Sequence, residues 1–206
     1  MKVAHVSDTH GEKPELPDAD LLIHSGDFTI RGFRIEVYRQ LGWLHEHVER
    51  YKHGIIVVPG NHDLYVEAHL EKAIEDCKAA GITLLHNSGI TIEGLKFWGS
   101  AHTPFYHDWA FMLGKGEEIR KAWAKIPDNT HVLITHGPAA GILDKSYRGH
   151  IGCPELLKRI LEINPSYYGT LMAHLFGHAH EGYGNIKIGD IQFFNSASGK
   201  PQVIEL

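Results

Sequence analysis

Residues able to do chemistry gather in short polar clusters, each placed after an apolar run. The densest is Gly60-Asn61-His62-Asp63, which sets an amide, an imidazole and a carboxylate in succession after Ile55-Ile56-Val57-Val58. Pro59 and Gly60 end that run abruptly, so the cluster falls in a loop at the carboxyl end of a buried strand. Taken alone, Asn-His-Asp is also ordinary turn chemistry. The arrangement recurs four times. Asp8 and His10 follow Lys2–Val6, Asp27 follows Leu21-Leu22-Ile23, His136 follows Val132–Thr135, and His178 and His180 follow residues 171–176. Carboxylates, imidazoles and an amide oxygen suit borderline-to-hard divalent ions such as manganese, iron or zinc, and no thiolate is among them. The donors are numerous enough for two ions. His178 and His180, one residue apart at a strand end, suit a shared metal site or two adjacent ones.

Five separate strand ends can meet only if a sheet scaffold aligns them. Apolar runs alternate with helical patterns in the first part of the chain, which implies a largely parallel sheet with active residues at its carboxyl edge. Val37, Leu41, Leu44, Val48 and Tyr51 keep helical spacing and predict a crossover helix over 33–51. A second helix is predicted over 68–80, ended by Gly81, with Leu70, Ala73, Ile74 and Cys77 on its apolar face. Short strand-like pieces at 83–85, 89–92 and 95–98, with turn residues between them, predict hairpins and an antiparallel portion or second sheet. Further helices are predicted over 117–125 and 155–163, the latter bracketed by Pro154 and Pro165. Residues 185–188, 191–194 and 202–205 read as closing strands.

Other features carry less. His45-Glu46-His47 places its histidines two apart, whereas a zinc-protease helix needs them four apart on one face, so these are flank and solvent residues. The aromatic segment 100–113 (Phe105, Tyr106, Trp109, Phe111) is a lid, a stacking rim or, more plainly, packing. Lys145, Arg148 and His150 share a loop that can meet an anion or simply form surface.

A chain of 206 residues supports one substantial core, and no linker-like stretch divides it, so a single domain over 1–206 is expected. The formal net charge of -5 argues against a protein that grips duplex nucleic acid through its phosphates. It leaves phosphate substrates open, because bound cations can supply local positive charge. Without an apolar run long enough to span a bilayer or a signal-peptide core, a cytoplasmic protein with no membrane partner is expected. Cys77 and Cys153 are too few for a disulfide scaffold and read as reduced core residues.

The ordered series Asp8-Thr9-His10, Gly26-Asp27, Gly60-Asn61-His62-Asp63, His136 and Gly177-His178-Ala179-His180 resembles the motif set of the calcineurin-like metallophosphoesterases. Single pieces are weak signals; the complete set in order is a strong one. Leu22 to Thr29, Phe97-Trp98-Gly99-Ser100, Trp109-Ala110-Phe111 and His180-Glu181-Gly182-Tyr183-Gly184 bring it closer to the metallophosphoesterase-domain-containing phosphodiesterases. The resemblance implies a four-layer α/β/β/α sandwich of two mixed sheets flanked by helices. It implies one ion on Asp8, His10, Asp27 and His180 and another on Asp27, Asn61, His136 and His178, with Asp27 as the bridge. Manganese is the first expectation, with iron, zinc, cobalt or nickel as alternatives. His62 is left as a general acid or charge donor near the leaving oxygen, oriented through a hydrogen bond to the Asp63 carboxylate. The implied reaction is attack by a metal-bridging hydroxide on a small-molecule phosphoester, a nucleotide-like or cyclic nucleotide diester. Phosphomonoesterase, protein phosphatase and non-catalytic scaffold are the competing readings. The intact motif series speaks against the scaffold, and the lack of a large insertion for a peptide groove against the protein phosphatase.

Overall fold

Each apolar run that precedes a chemical cluster becomes a strand. The computed structural model describes residues 1–164 and 169–206. Lys2–Val6 (β1), Leu21–His24 (β2), Ile55–Val57 (β3) and Ile82–Leu84 (β4) lie parallel in one sheet. Ser88–Ile92 (β5), Leu95–Ser100 (β6), Val132–Thr135 (β7), Ala173–Phe176 (β8), Gly184–Ile188 (β9) and Ile191–Asn195 (β10) form the second. Gln202–Glu205 (β11) returns antiparallel to β1, giving the orders β11-β1-β2-β3-β4 and β9-β10-β8-β7-β6-β5. In the second sheet β6, β7, β8 and β10 run parallel, with β5 and β9 antiparallel at the edges.

Burial explains the sequence patterns. β1, β2 and β3 are covered on both faces, which is why β2 and β3 read as continuous apolar runs, whereas the buried His5 interrupts the run of β1. The second sheet alternates. Val132, Ile134, Ala173, Leu175 and Phe194 face the first sheet, while Leu133, Phe176 and Phe193 face the opposite way. Helices cover the outer faces: Arg34–His45 (α1), Leu64–Ala68 (α2) and Leu70–Ala79 (α3) on the first sheet's side, Glu117–Trp123 (α4) and Pro154–Ile163 (α5) on the second's. Trp123, Leu156 and Ile160 fill the space beneath α4 and α5, each side chain of this kind contributing about 1.5–3 kcal/mol on burial. The result is the expected four-layer α/β/β/α sandwich.

Local boundaries depart from expectation in three places. The helix predicted over 33–51 ends at His45, and Val48–Arg50 forms a separate 3-10 turn. The helix predicted over 68–80 forms as α3 over 70–79, and the unexpected short helix α2 precedes it, separated from it at His69, whose φ of -135 leaves helical geometry. Ile74 is exposed, so the buried face of α3 is narrower than its spacing suggested and rests on Ala73 and Cys77. Gly81 does take a left-handed φ of +75 after α3. Pro165 lies outside the described residues. Among those described, no helix is long and apolar enough to cross a membrane.

Candidate metal centre

The parallel strands of the two sheets carry their chemical clusters into one junction. Three groups of donor atoms form there, each with all its members within 4.8 Å of one another: Asp8, His10 and His180; Asp27, His136 and His178; and His10, Asp27 and His62. Asn61 joins the second group, its Oδ1 lying 2.9 Å from His136 Nε2. His178 and His180 thus divide between two adjacent groups instead of sharing one, and Asp27 stands where two groups meet.

The backbone that achieves this is unusual. Asp8, His10, Asp27 and His178 adopt φ of 54, 44, 54 and 67, left-handed values that residues with a Cβ occupy at a cost of about 1–3 kcal/mol each. Cross-loop hydrogen bonds hold them there: Asp8 N donates to Gly26 O at 2.9 Å, and His10 N to Asp27 O at 3.0 Å. Two glycines are required by crowding. A Cβ on Gly60 would overlap the Asp27 carboxylate and the His136 ring, and one on Gly177 would overlap Ser7 Oγ and the Asp8 carboxylate.

Carbonyl oxygens fix which imidazole nitrogens are free. His136 Nδ1 donates to Ser25 O at 3.0 Å, His10 Nδ1 to Thr29 O at 3.2 Å and His62 Nδ1 to Ile30 O at 2.6 Å. In each neutral ring Nε2 is then a lone pair. For His136 that lone pair faces Asn61 Oδ1 at 2.9 Å and Asp27 Oδ1 at 3.4 Å, so three acceptors converge. Such a cluster fits a cation at its centre, and the electrostatics agree. Burial pushes His136 down, but the Asp27 carboxylate overrides it and lifts the imidazole to about 9, a preference for positive charge at Nε2. Asp8 falls below the usual carboxylate range although burial opposes this, because His180 bonds it at 3.2 Å and His136 lies nearby. Burial holds His178 down at about 4, with His136 adding to the effect, which keeps it a neutral imidazole.

Asp63 corrects an expectation. Its fully buried carboxylate does not touch His62; it accepts from Gly60 N at 2.7 Å, Asp27 N at 3.0 Å, Thr29 N at 3.1 Å and Thr29 Oγ1 at 2.7 Å. It therefore braces the loops that carry Asp27 and Asn61, and the Ile30 carbonyl orients His62. Burial and the neighbouring Asp27 charge raise Asp63 to about 7. Two buried histidines brace the loops from behind. His5 bonds Ser25 Oγ at 2.8 Å and Ser196 Oγ at 2.9 Å, and His24 bonds Thr9 Oγ1 at 3.0 Å. Asn195 was missed by sequence reasoning. Its Nδ2 donates to Ala179 O, between His178 and His180, and to Leu143 O, both at 2.8 Å.

Above the junction opens a cleft of about 780 Å³ lined by Asp27, Asn61, His62, His178 and His180. The aromatic segment 100–113 divides between roles. Phe111 is buried packing, whereas Phe105, Tyr106 and Trp109 line the cleft, with Trp109 stacked 4.3 Å from the His62 ring. Two bonds anchor this segment: Ala110 N donates to Asn61 O at 3.0 Å and Phe111 N to Glu67 Oε1 at 2.6 Å.

Residues 1–182 match the family model for calcineurin-like phosphoesterase. The chain is 36% identical to a UPF0046 protein of Caenorhabditis elegans, over 96% of this chain and 69% of that protein. It is 30% identical to human metallophosphoesterase domain-containing protein 1, over 93% of this chain and 64% of that one. A probable rhamnogalacturonate lyase C of Emericella nidulans is 37% identical over 89% of this chain, which spans only 17% of that protein. One solved structure superposes with a TM-score of 0.65 at 16% identity, covering 99% of this chain and 98% of that one, a likeness of fold.

Proposed function

The chain belongs to the calcineurin-like phosphoesterases, and from that premise we propose that it is a metal-dependent phosphodiesterase acting on nucleotide-like or cyclic nucleotide diesters. The observation that carries the reading is the convergence of the three donor groups around Asp27 at the floor of the cleft. Asp8, His10, Asp27 and His180 would hold one divalent ion, and Asp27, Asn61, His136 and His178 a second. Manganese is the first choice, with iron, zinc, cobalt and nickel suited to the same donors. Bound there, such ions supply Lewis acidity, which lowers the pKa of a water and offsets phosphoryl charge.

The chain's own residues supply the rest. His62 stays outside both ligand sets in this assignment. The Ile30 carbonyl at 2.6 Å commits its Nδ1–H, so Nε2 is the nitrogen left for the cleft, and in the imidazolium form, with both nitrogens protonated, it is the position that would donate a proton to the leaving oxygen. Trp109 packs tilted by 34° against the ring and restricts its orientation. Asp63 is a positioning residue that keeps the Asp27 and Gly60 backbones in place.

The choice of diesters leans on the motif resemblance to the metallophosphoesterase-domain-containing phosphodiesterases, since His62 would serve the leaving alkoxide of a monoester equally well. The cleft adds room and a wall for a second ester arm. Tyr106 and Trp109 offer faces for a planar base, a contact worth roughly 1–3 kcal/mol in nucleic-acid sites. The test compares kcat/KM of manganese-loaded protein for bis(p-nitrophenyl) phosphate, p-nitrophenyl phosphate and 2′,3′-cyclic AMP. Diesters should lead the monoester by tenfold or more; a tenfold monoester preference overturns the reading.

A further inference from the structure

Lys145–Ser146 pairs with Gly149–His150 in a short hairpin that stands in the wall of the cleft, with Tyr147 and Arg148 at its tip. Its base is tied by polar contacts to one buried carboxylate. Asp144, 3% exposed, accepts from Gly141 N at 2.8 Å, from Gly152 N at 3.3 Å and from His150 Nδ1 at 2.6 Å. The bond from Nδ1 leaves His150 Nε2 as the free nitrogen, on a ring that lines the cleft. Asn195 ties the same base to the metal-ligand loop by bonding Leu143 O and Ala179 O together. The hairpin is therefore fixed relative to His178 and His180, and Arg148 lies over the Tyr147 ring at 5.2 Å.

None of these groups takes part in the reaction proposed above. A buried carboxylate orienting a cleft-lining histidine beside an arginine is an arrangement with a use of its own. Lys115 lines the same cleft from the aromatic segment's side. Apart from the metal-donor set, the charged lining among the described residues is Lys115, Arg148 and one carboxylate, Glu181, in a chain whose net charge is -5. The cleft of about 780 Å³ also exceeds what one phosphoryl group fills.

We propose that the hairpin, with Lys115, forms a subsite for a second anionic group of the substrate, so that the preferred ligands carry two separated phosphoryl groups on one nucleoside-like scaffold. This rests on the phosphoester reading of the cleft and narrows its substrate class. Arg148 and Lys115 supply permanent charge and charge-assisted hydrogen bonds to the second group. His150 Nε2 supplies a further hydrogen-bonding position, held in place by Asp144.

Calorimetric titration of the manganese-loaded full chain with adenosine 5′-monophosphate and adenosine 3′,5′-bisphosphate tests this directly. The bisphosphate should bind tenfold or more tightly. That ratio should fall to within threefold in the Arg148→Ala, Lys115→Ala double variant, with the monophosphate affinity as internal reference, while Arg148→Lys should retain most of it. His150→Gln should lower the ratio, and Asp144→Asn should lower it only where His150 is present, which separates positioning from general loosening. A wild-type ratio within threefold, or one that survives in the double variant, overturns the proposal. Hydrolysis of bis(p-nitrophenyl) phosphate is measured separately. An inactive protein that still prefers the bisphosphate would uphold the subsite and sink the reaction.

Discussion

His62 illustrates how much of the site is decided atom by atom. One nitrogen is committed to the Ile30 carbonyl, and the other faces the cleft 3.9 Å from Asp27 Oδ2, close enough to count in a donor group with His10. Two uses follow, metal ligand or proton donor, and one variant separates them. His62→Ala should retain two equivalents of metal by elemental analysis while kcat falls on the order of 10²–10⁴, with the larger loss on substrates of poor leaving group. Loss of an ion, or an equal loss for nitrophenolate and alkoxide leaving groups, would remove the acid role. At this scale residue types were legible in the sequence but conformations were not. Asp63 follows His62 directly, yet its carboxylate turns back to the backbone of Gly60, Asp27 and Thr29, a direction that adjacency does not encode. The left-handed φ of His10 and His178 carries no residue-type signal either, since glycine, asparagine and aspartate are the usual occupants.

Strands carried the strongest signal in the sequence because double-sided burial demands unbroken apolar runs, as in Leu21-Leu22-Ile23 and Val132–Thr135. Helix ends were less legible. The short helix α2 ahead of His69 went unread because five residues are too few to set an apolar period. The hairpin at Lys145–Ser146 and Gly149–His150 was read as a loop because two-residue strands are too short to alternate. Its attachment depends on Asn195, which lies at the end of β10, far from every motif in sequence. Asn195→Ala would leave Leu143 O without its side-chain donor and Ala179 O with the Gly182 N–H alone, and unmaking buried hydrogen bonds of this kind costs about 1–3 kcal/mol. The urea midpoint should drop accordingly. A midpoint identical to wild type would show that the bond between the hairpin base and the loop carrying His178 and His180 contributes nothing.

Over the whole molecule, histidine serves two opposite purposes. His136 is drawn toward positive charge by Asp27, whereas burial holds His5 and His174 down at about 3 and His24 at about 4, all three as neutral braces. Folded His174 takes up its proton only near pH 3, while in the unfolded chain it does so near its ordinary value of 6.5. Between these values unfolding binds a proton, so stability rises with pH across the window and acid favours the unfolded chain. His174→Leu should flatten the dependence of the urea midpoint between pH 5 and 7.5 relative to wild type; an unchanged slope would contradict its neutrality in the fold. The order of the runs made a largely parallel sheet and an antiparallel portion or second sheet legible, the motif resemblance supplied the four-layer sandwich, and its purpose is to bring five strand ends to one junction. The measurement that bears most directly on that purpose is diester hydrolysis by metal-stripped protein titrated with manganese. Stripped wild type should be inactive, and activity should rise to a plateau at two equivalents per chain, with Asp27→Ala disturbing both sites and showing no such break. Full activity without added metal, or a plateau reached equally by Asp27→Ala, would contradict a paired-ion centre bridged by that residue.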